Sequence, residues 1–348
     1  MKVYLEKLAW IKKITARQIA GMCMVMVAIY FISGRNEAQV ETNFVGSIGY
    51  SYQDDDMGVE VHTVYLQHES GYLAKTEIVA CEQVSAVESI FTGIQDTSER
   101  LPEQTIGLIP ANAVLYNYTI EDDVLTLNLS ESFLYYFPSL EENLLSSLVW
   151  SMTELPEVNR VHLEIEDEAM NNLNTSIDVS RGLTRAMGIN LEVGALRVDD
   201  SQMMMLYFLT DDTDDALLIP VTRLVNNNVN PFEYAVSALV RGPIGASYIS
   251  VFNHRAMLLE QPRVEEGILT LNFSSDLFYN QEQTQVSSQV IRQLVMTMTE
   301  FEEVSEVSVV IEGSSRVFDD VGNPITVPVN RNHILGLEAR VGGYIREY

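Results

Sequence analysis

The chain is 348 residues long, with 47% hydrophobic and 9% aromatic residues, enough apolar material for two or three packed domains and too much for a disordered chain. Its formal charge is −28, unevenly placed: residues 1–35 hold six of the 21 bases and one acid, Glu6, of the 49, which leaves fifteen bases against forty-eight acids in the remainder. A body that acidic repels phosphate backbones, anionic wall polymers and lipid head groups, so nucleic acid is not expected as a partner. The two cysteines, Cys23 and Cys81, are far apart in the chain and indicate neither a disulfide framework nor a metal site.

The N-terminus reads as an address. Lys2, Lys7, Lys12, Lys13 and Arg17 form a basic segment over residues 1–17, and an uncharged run from Gln18 to Ser33 follows, ending at Gly34 and Arg35. This is the pattern of an export signal or a membrane anchor over residues 18–34, with the basic side remaining in the cytoplasm and the rest of the chain outside it. About 16 residues at 1.5 Å each span roughly 24 Å of a core of about 30 Å, so an anchor needs local thinning or snorkelling by Arg17 and Arg35. Phe31, Ile32 and Ser33 offer no small-x-small cleavage site, which favours an uncleaved anchor over a cleaved signal. A lipoprotein signal with lipidation at Cys23 is the third reading. Against it, Met22 precedes the cysteine and further apolar residues follow it.

Residues 35–59 form a linker, and beyond it the chain repeats itself. Leu125-Thr126-Leu127-Asn128 returns as Leu269-Thr270-Leu271-Asn272, and Met152-Thr153-Glu154 returns as Met298-Thr299-Glu300 at an offset of 146. Leu144, Leu145, Leu148, Val149, Met152 and Leu155 form the stripe of an amphipathic helix. The same offset lands on Val290, Ile291, Leu294, Val295, Met298 and Phe301, so all positions stay apolar while most identities change. Burying either stripe is worth on the order of 10 kcal/mol before conformational entropy is charged.

The first repeat, residues 60–198, predicts strands near 63–66 and 76–80, a helix over 85–92, a hairpin of 114–120 with 124–129, the amphipathic helix, and a strand over 160–165. The second, residues 199–348, predicts strands at 203–209 and 217–221, a helix over 231–241, a hairpin of 257–264 with 268–273, a helix over 282–300 and a strand over 307–311. Pro231 suits a first helical turn and Gly242-Pro243 ends that helix. The fold class expected is α+β: two tandem copies of a small mixed α/β domain, with helices on one face of a small sheet.

These residues resemble the GerMN domain family, found in tandem in sporulation and spore-germination proteins of endospore-forming bacteria. Val64-Tyr65-Leu66 and Leu206-Tyr207-Phe208 look like the strand that opens such domains, and Leu239-Val240-Arg241-Gly242-Pro243 is similar to the end of the family's first helix. Repeat 1 departs there, with Ile90-Phe91-Thr92-Gly93-Ile94, but keeps Ile109-Pro110 before its hairpin, where repeat 2 has Val251-Phe252. The resemblance implies an extracytoplasmic protein of sporulation or germination, with a fold like the ring-building domains of the channel between mother cell and forespore. It also implies envelope or sporulation-channel proteins as partners and a homo-oligomeric ring.

No nucleotide-binding, zinc-protease, serine-hydrolase or Cys-x-x-Cys motif occurs, and neither catalytic residues, cofactor nor metal is expected. His162 alternates with apolar neighbours in a strand and points outward, and His68 and His254 read as loop residues. Asp122, Asp123, Glu265 and Glu266 occupy matching hairpins. Paired carboxylates there could serve a wall-active hydrolase, although turns favour such residues on conformational grounds alone. Asp211, Asp212, Asp214 and Asp215 lack the glycine and terminal glutamate of a calcium loop and read as a solvated loop. Asn128-Leu129-Ser130 and Asn272-Phe273-Ser274 read as strand ends that cap the next helix. The expected function is a membrane-tethered, non-catalytic binding or ring-assembly module, with a wall hydrolase and a ligand-binding lipoprotein as alternatives.

Overall fold

Each repeat opens with an apolar strand paired antiparallel to the next. In the first these are β1 (Val61–His68) and β2 (Leu73–Val79), with Tyr65 opposite Lys75; in the second, β9 (Ser201–Leu209) and β10 (Leu218–Asn226), with Tyr207 opposite Pro220. The computed structural model describes residues 60–333 apart from 82, 97–100, 176, 195–199, 214, 245–246, 280–283, 321, 323 and 326–327. The basic segment 1–17, the apolar run 18–34, Cys23 and the linker 35–59 lie outside the described residues. Among the described residues, no helix is long and apolar enough to cross a membrane.

A short helix follows each opening pair. Helix α1 (Ala86–Gly93) starts at a capping box in which Ser85 and Glu88 satisfy each other's backbone N–H groups. Its counterpart α3 (Pro231–Arg241) has Asn230 as cap and Pro231 in the first turn, and ends at Gly242 with φ +82°, a left-handed conformation that glycine adopts without strain.

The second half of each repeat is a hairpin, a long helix and a returning strand. In repeat 1, β4 (Leu115–Glu121) pairs antiparallel with β5 (Val124–Leu129). Helix α2 (Glu141–Met152) then crosses over, so that β6 (Arg160–Ile165) lies parallel to β5, with the two-residue β7 (Glu168–Ala169) antiparallel beside it. Repeat 2 does the same with β11 (Arg263–Glu265), β12 (Ile268–Phe273), α4 (Ser288–Met298) and β13 (Glu306–Ile311). Both copies are mixed α+β, and each divides its strands between two small sheets. Helix α2 packs on β1 as well as on β6. It is consequently buried nearly all round, its stripe residues Leu144 to Met152 at zero exposure and Leu155 partly covered.

Two predicted elements are shorter than expected. The helix expected over 282–300 begins at Ser288, because Gln285 bridges to Phe318, Val286 donates to the Phe318 carbonyl, and Asp320 takes both the N–H and the hydroxyl of Ser288. The strand expected over 257–264 keeps only an isolated bridge from Leu258 to Phe273 and the three residues of β11. Pro262 stands between them and has no N–H for a ladder.

The repeats have separate apolar cores, with Met205 packed against both. Their opening sheets join edge to edge in the order β3 (Thr105–Ile106), β1, β2, β10, β8 (Glu192–Val193), through Leu218 opposite Lys75. Asn190, at φ +46°, pins this seam: its amide donates to the carbonyls of Leu73 (2.8 Å) and Pro220 (2.7 Å) and its oxygen accepts from the Leu73 N–H (2.9 Å). Strand β8, from the segment that leaves repeat 1, runs parallel to β10 of repeat 2.

Candidate functional site

The polar chemistry of the chain concentrates in one arrangement that occurs twice. The backbone of Tyr65 faces away from β2, toward α2. Its N–H donates to Ser151 Oγ (2.9 Å) and its carbonyl accepts from the Ser147 hydroxyl (2.5 Å). In repeat 2 the Tyr207 N–H donates to Thr297 Oγ1 (3.0 Å) and its carbonyl accepts from the Gln293 amide (3.0 Å). These four helix residues are buried and polar because each completes the edge of an opening strand.

The phenol of the same tyrosine reaches the end of the helix. Tyr65 donates to Glu154 Oε1 (2.6 Å), and Tyr207 to Glu300 Oε1 (2.9 Å). An arginine from a helical turn beyond the returning strand closes each cluster. Arg185 pairs with Glu154 at 2.7 Å, donates to Thr153 Oγ1 (2.8 Å) and to the Trp150 carbonyl (3.3 Å), and stacks 4.6 Å from the Trp150 ring centroid. Arg331 pairs with Glu300 and donates to Thr299 Oγ1 (2.7 Å) and the Met296 carbonyl (3.2 Å). Both guanidinium groups thus satisfy carbonyls at a helix C-terminus, where positive charge is favoured. Repeat 1 adds Lys75, 3.7 Å from Glu154.

The electrostatics are those of a clamp. Burial alone would raise the Glu154 carboxyl, but Lys75, Arg185 and the phenol of Tyr65 outweigh it and hold it down at about 2. Burial, followed by the neighbouring carboxylate, pushes the phenols of Tyr65 and Tyr207 well above their ordinary value. Burial opposes the charge on Arg331, yet Glu300 raises its affinity for the proton further. Glu154 and the two phenols are therefore not poised to exchange a proton near neutral pH.

Arg185 of one cluster and Glu300 of the other line a single cavity of ≈ 240 Å³ together with Met203, Met204, Met205 and Phe301. That is below the ~300 Å³ at which ligand pockets usually begin, and each charge already has its own partner. A third polar cluster holds β8 to repeat 2. Glu192 and Arg223, both buried, pair at 2.5 Å, and the Tyr248 hydroxyl and the Ile244 N–H also donate to Glu192 (2.6 and 3.0 Å).

The residues weighed from sequence take ordinary places. Asp122, Asp123 and Glu266 sit in two-residue hairpin turns at φ +50°, +61° and +52°, and Gly267 holds the last position at +83°. Asp and Gly suit such turns. Asp211 turns back on its own loop, accepting from the Thr213 N–H (2.8 Å) and hydroxyl. Among the described residues no three His, Cys, Asp or Glu side chains converge as metal ligands. His162 lies on the outer face of β6, where a Cβ on Gly182 would meet its ring at 2.6 Å. His68 is not in a loop: it ends β1, buried, against Ser70 and Gln104. Asn128 and Asn272 bind the turns after the returning strands, through Asp167 and Gly313. Ser130 and Ser274 accept from Val114 and Met257 at the hairpin starts. Contrary to the expectation from sequence, none of these side chains caps the following short helix, because the hairpin and turn backbone claims them first.

The family described as "Germane: Sporulation and spore germination" matches residues 50–171 and 205–317, which hold the tyrosine and glutamate of both clusters and stop short of Arg185 and Arg331. The chain belongs to that family. A relative, the spore germination protein GerM of Bacillus subtilis (strain 168), is 25% identical over 287 residues, 80% of this chain and 78% of the relative. The solved tandem GerMN domains of the sporulation protein GerM from Bacillus subtilis superpose with a TM-score of 0.70 at 24% identity, over 78% of this chain and 98% of that one. The tandem Germane fold is thereby shown for this chain. The arginines that close both clusters went unread in the sequence, although Arg185 and Arg331 are separated by the same 146 residues as the two helices.

Proposed function

We propose that this Germane protein acts outside the cytoplasm in sporulation or spore germination, tethered through its N-terminal segment, as a non-catalytic module that binds other envelope or sporulation-channel proteins and copies of itself. The observation that carries the reading is the match of both repeats to a family of sporulation and spore germination proteins. The basic segment before an uncharged run supports the tether, with the basic end inside.

The duplicated clusters support a non-catalytic role. Glu154, Glu300, Arg185 and Arg331 are engaged in fastening strand to helix, and the acids weighed for wall hydrolysis sit where hairpin turns require left-handed residues. Such a clamp keeps a domain rigid enough to present its edges and faces to partners. Assembly into a ring is the form of self-association the family resemblance suggests.

Deletion of the gene in the source organism tests the reading. Fewer heat-resistant spores, or slowed germination, is the expected outcome. Normal numbers with normal germination would remove its basis.

A further inference from the structure

The repeat continues past the returning strand of each copy, up to the last described residue. Leu183 bridges to Val161, and 146 residues on Val329 bridges to Val307. Thr184 then accepts from the Ala186 N–H and Asn330 from the His333 N–H, in the turns that carry Arg185 and Arg331. Each arginine also lies in the field of the other repeat's tyrosine, Arg185 with Tyr207 and Arg331 with Tyr65. The exits of the two repeats are thus placed reciprocally about the seam.

The seam itself is nearly two-fold. Tyr65 faces Lys75 and Tyr207 faces Pro220, so Lys75 corresponds to Pro220, Leu73 to Leu218, Ile78 to Arg223 and Val79 to Leu224. The segment that follows Arg185 completes the sheet of repeat 2. Four residues on, the Ile189 N–H donates to Thr222 Oγ1 (2.9 Å) and the Thr222 N–H to the Ile189 carbonyl (2.8 Å). Asn190 turns at φ +46°, and β8 then sets Glu192 beside Arg223 and Val193 beside Leu224. No strand does this for repeat 1 among the described residues: β2 meets β10 at Lys75 alone, and Val79 and its cross-strand partner Val61 are 53% and 49% exposed.

Beyond His333 the sequence of that strap returns. Ile189-Asn190-Leu191-Glu192-Val193 reappears 146 residues later as Leu335-Gly336-Leu337-Glu338-Ala339. Gly336 stands for the left-handed Asn190, a conformation glycine adopts without strain. Asn190 spans the gap between Leu73 and Pro220 with its amide; at the corresponding place Leu218 and Lys75 pair directly, and no amide is needed.

We propose that residues 335–339 add to the edge of β2 at Ile78 and Val79 of the same chain, parallel to it, as β8 adds to β10. Each repeat's opening sheet is then completed by the segment that leaves the other. Four residues carry the chain from Arg185 to Thr222, and Leu335 stands four residues after Arg331, so the reach required is one this fold already makes. Tethering favours the chain's own tail over that of a second copy. Ile78 stands where Arg223 does, so Glu338 gains no ion pair, and this strap is weaker than β8. The inference is independent of the sporulation reading.

Hydrogen–deuterium exchange on the full-length chain in a mild detergent, compared with a chain ending at His333, tests it. Loss of residues 334–348 is expected to speed exchange over 76–81 by about tenfold or more, with 222–226 and the circular dichroism unchanged. Gly336→Val is expected to act like the deletion, and Glu338→Val, which removes an unpaired charge, to slow exchange over 76–81 further. Cross-linking identifies the partner. With Cys23→Ser and Cys81→Ser, the pair Val79→Cys and Ala339→Cys is expected to form a disulfide within one chain, and Leu224→Cys with Val193→Cys serves as the control. Exchange over 76–81 that ignores the deletion would overturn the proposal, as would a control disulfide that forms while the test pair stays reduced. A disulfide joining two chains, seen as a dimer on a non-reducing gel, would also overturn it by placing the tail on a second copy.

Discussion

Arg331→Met and Arg185→Met remove the same guanidinium from equivalent clusters, and the structure predicts unequal costs. Without Arg331, Glu300 keeps the Tyr207 hydroxyl but loses its cation, while the Met296 carbonyl and Thr299 lose a donor. Breaking a fully buried pair costs about 3–5 kcal/mol. With Arg331 and Glu300 29% and 21% exposed, we expect roughly 2–3 kcal/mol after solvent screening. Without Arg185, Lys75 remains 3.7 Å from Glu154, and the expected cost falls to roughly 1–2 kcal/mol, including the lost contact with Trp150. At about 2 kcal/mol per M, urea midpoints of the transition reporting each repeat should fall by roughly 1–1.5 M and 0.5–1 M respectively. In a Lys75→Met background the Arg185 change should approach the Arg331 cost, a coupling measurable by a double-mutant cycle. Equal costs for the two arginines, together with no coupling to Lys75, would refute the clamp.

The depressed Glu154 carboxyl makes repeat 1 acid-sensitive. Its contribution is full above its unfolded value near 4.5 and is lost as pH falls toward about 2, amounting to at most about 3 kcal/mol. Glu154→Gln should flatten that limb of a stability-against-pH curve, and an unchanged limb would contradict the assignment. Removing either partner of the buried Glu192–Arg223 pair alone should destabilise repeat 2 by about 3–5 kcal/mol, whereas Glu192→Leu with Arg223→Leu should recover most of the loss in chemical denaturation. Asp123→Gly relieves a residue at φ +61° and copies Gly267, so it should raise the thermal midpoint, with a gain of up to about 1 kcal/mol. A lowered midpoint would count against the turn assignment.

The elements that were legible in the sequence depend on local pattern. Both apolar helix stripes lie in the cores as the offset of 146 predicts, and Pro231 and Gly242 delimit α3 as read. What was missed depends on long-range partners. Ser147 and Ser151 look like the solvent side of an amphipathic helix, but the strand edge they complete is more than eighty residues earlier in the chain. Gln285 and Val286 precede an apolar helix stripe yet are taken by Phe318, and the strand expected over 257–264 is interrupted at Pro262, which has no N–H for the ladder. Arg185 and Arg331 lay beyond the last predicted strands, where the repeat comparison had stopped.

A sporulation role without catalysis is put to the test by returning the gene to a deletion strain with Asp122→Asn, Asp123→Asn, Glu265→Gln and Glu266→Gln together, and counting heat-resistant spores. Counts equal to those restored by the unaltered gene are expected, with no release of fragments from purified peptidoglycan by either protein. Spore counts that stay at the deletion level while the altered protein accumulates normally, with peptidoglycan cleaved only by the unaltered chain, would contradict it.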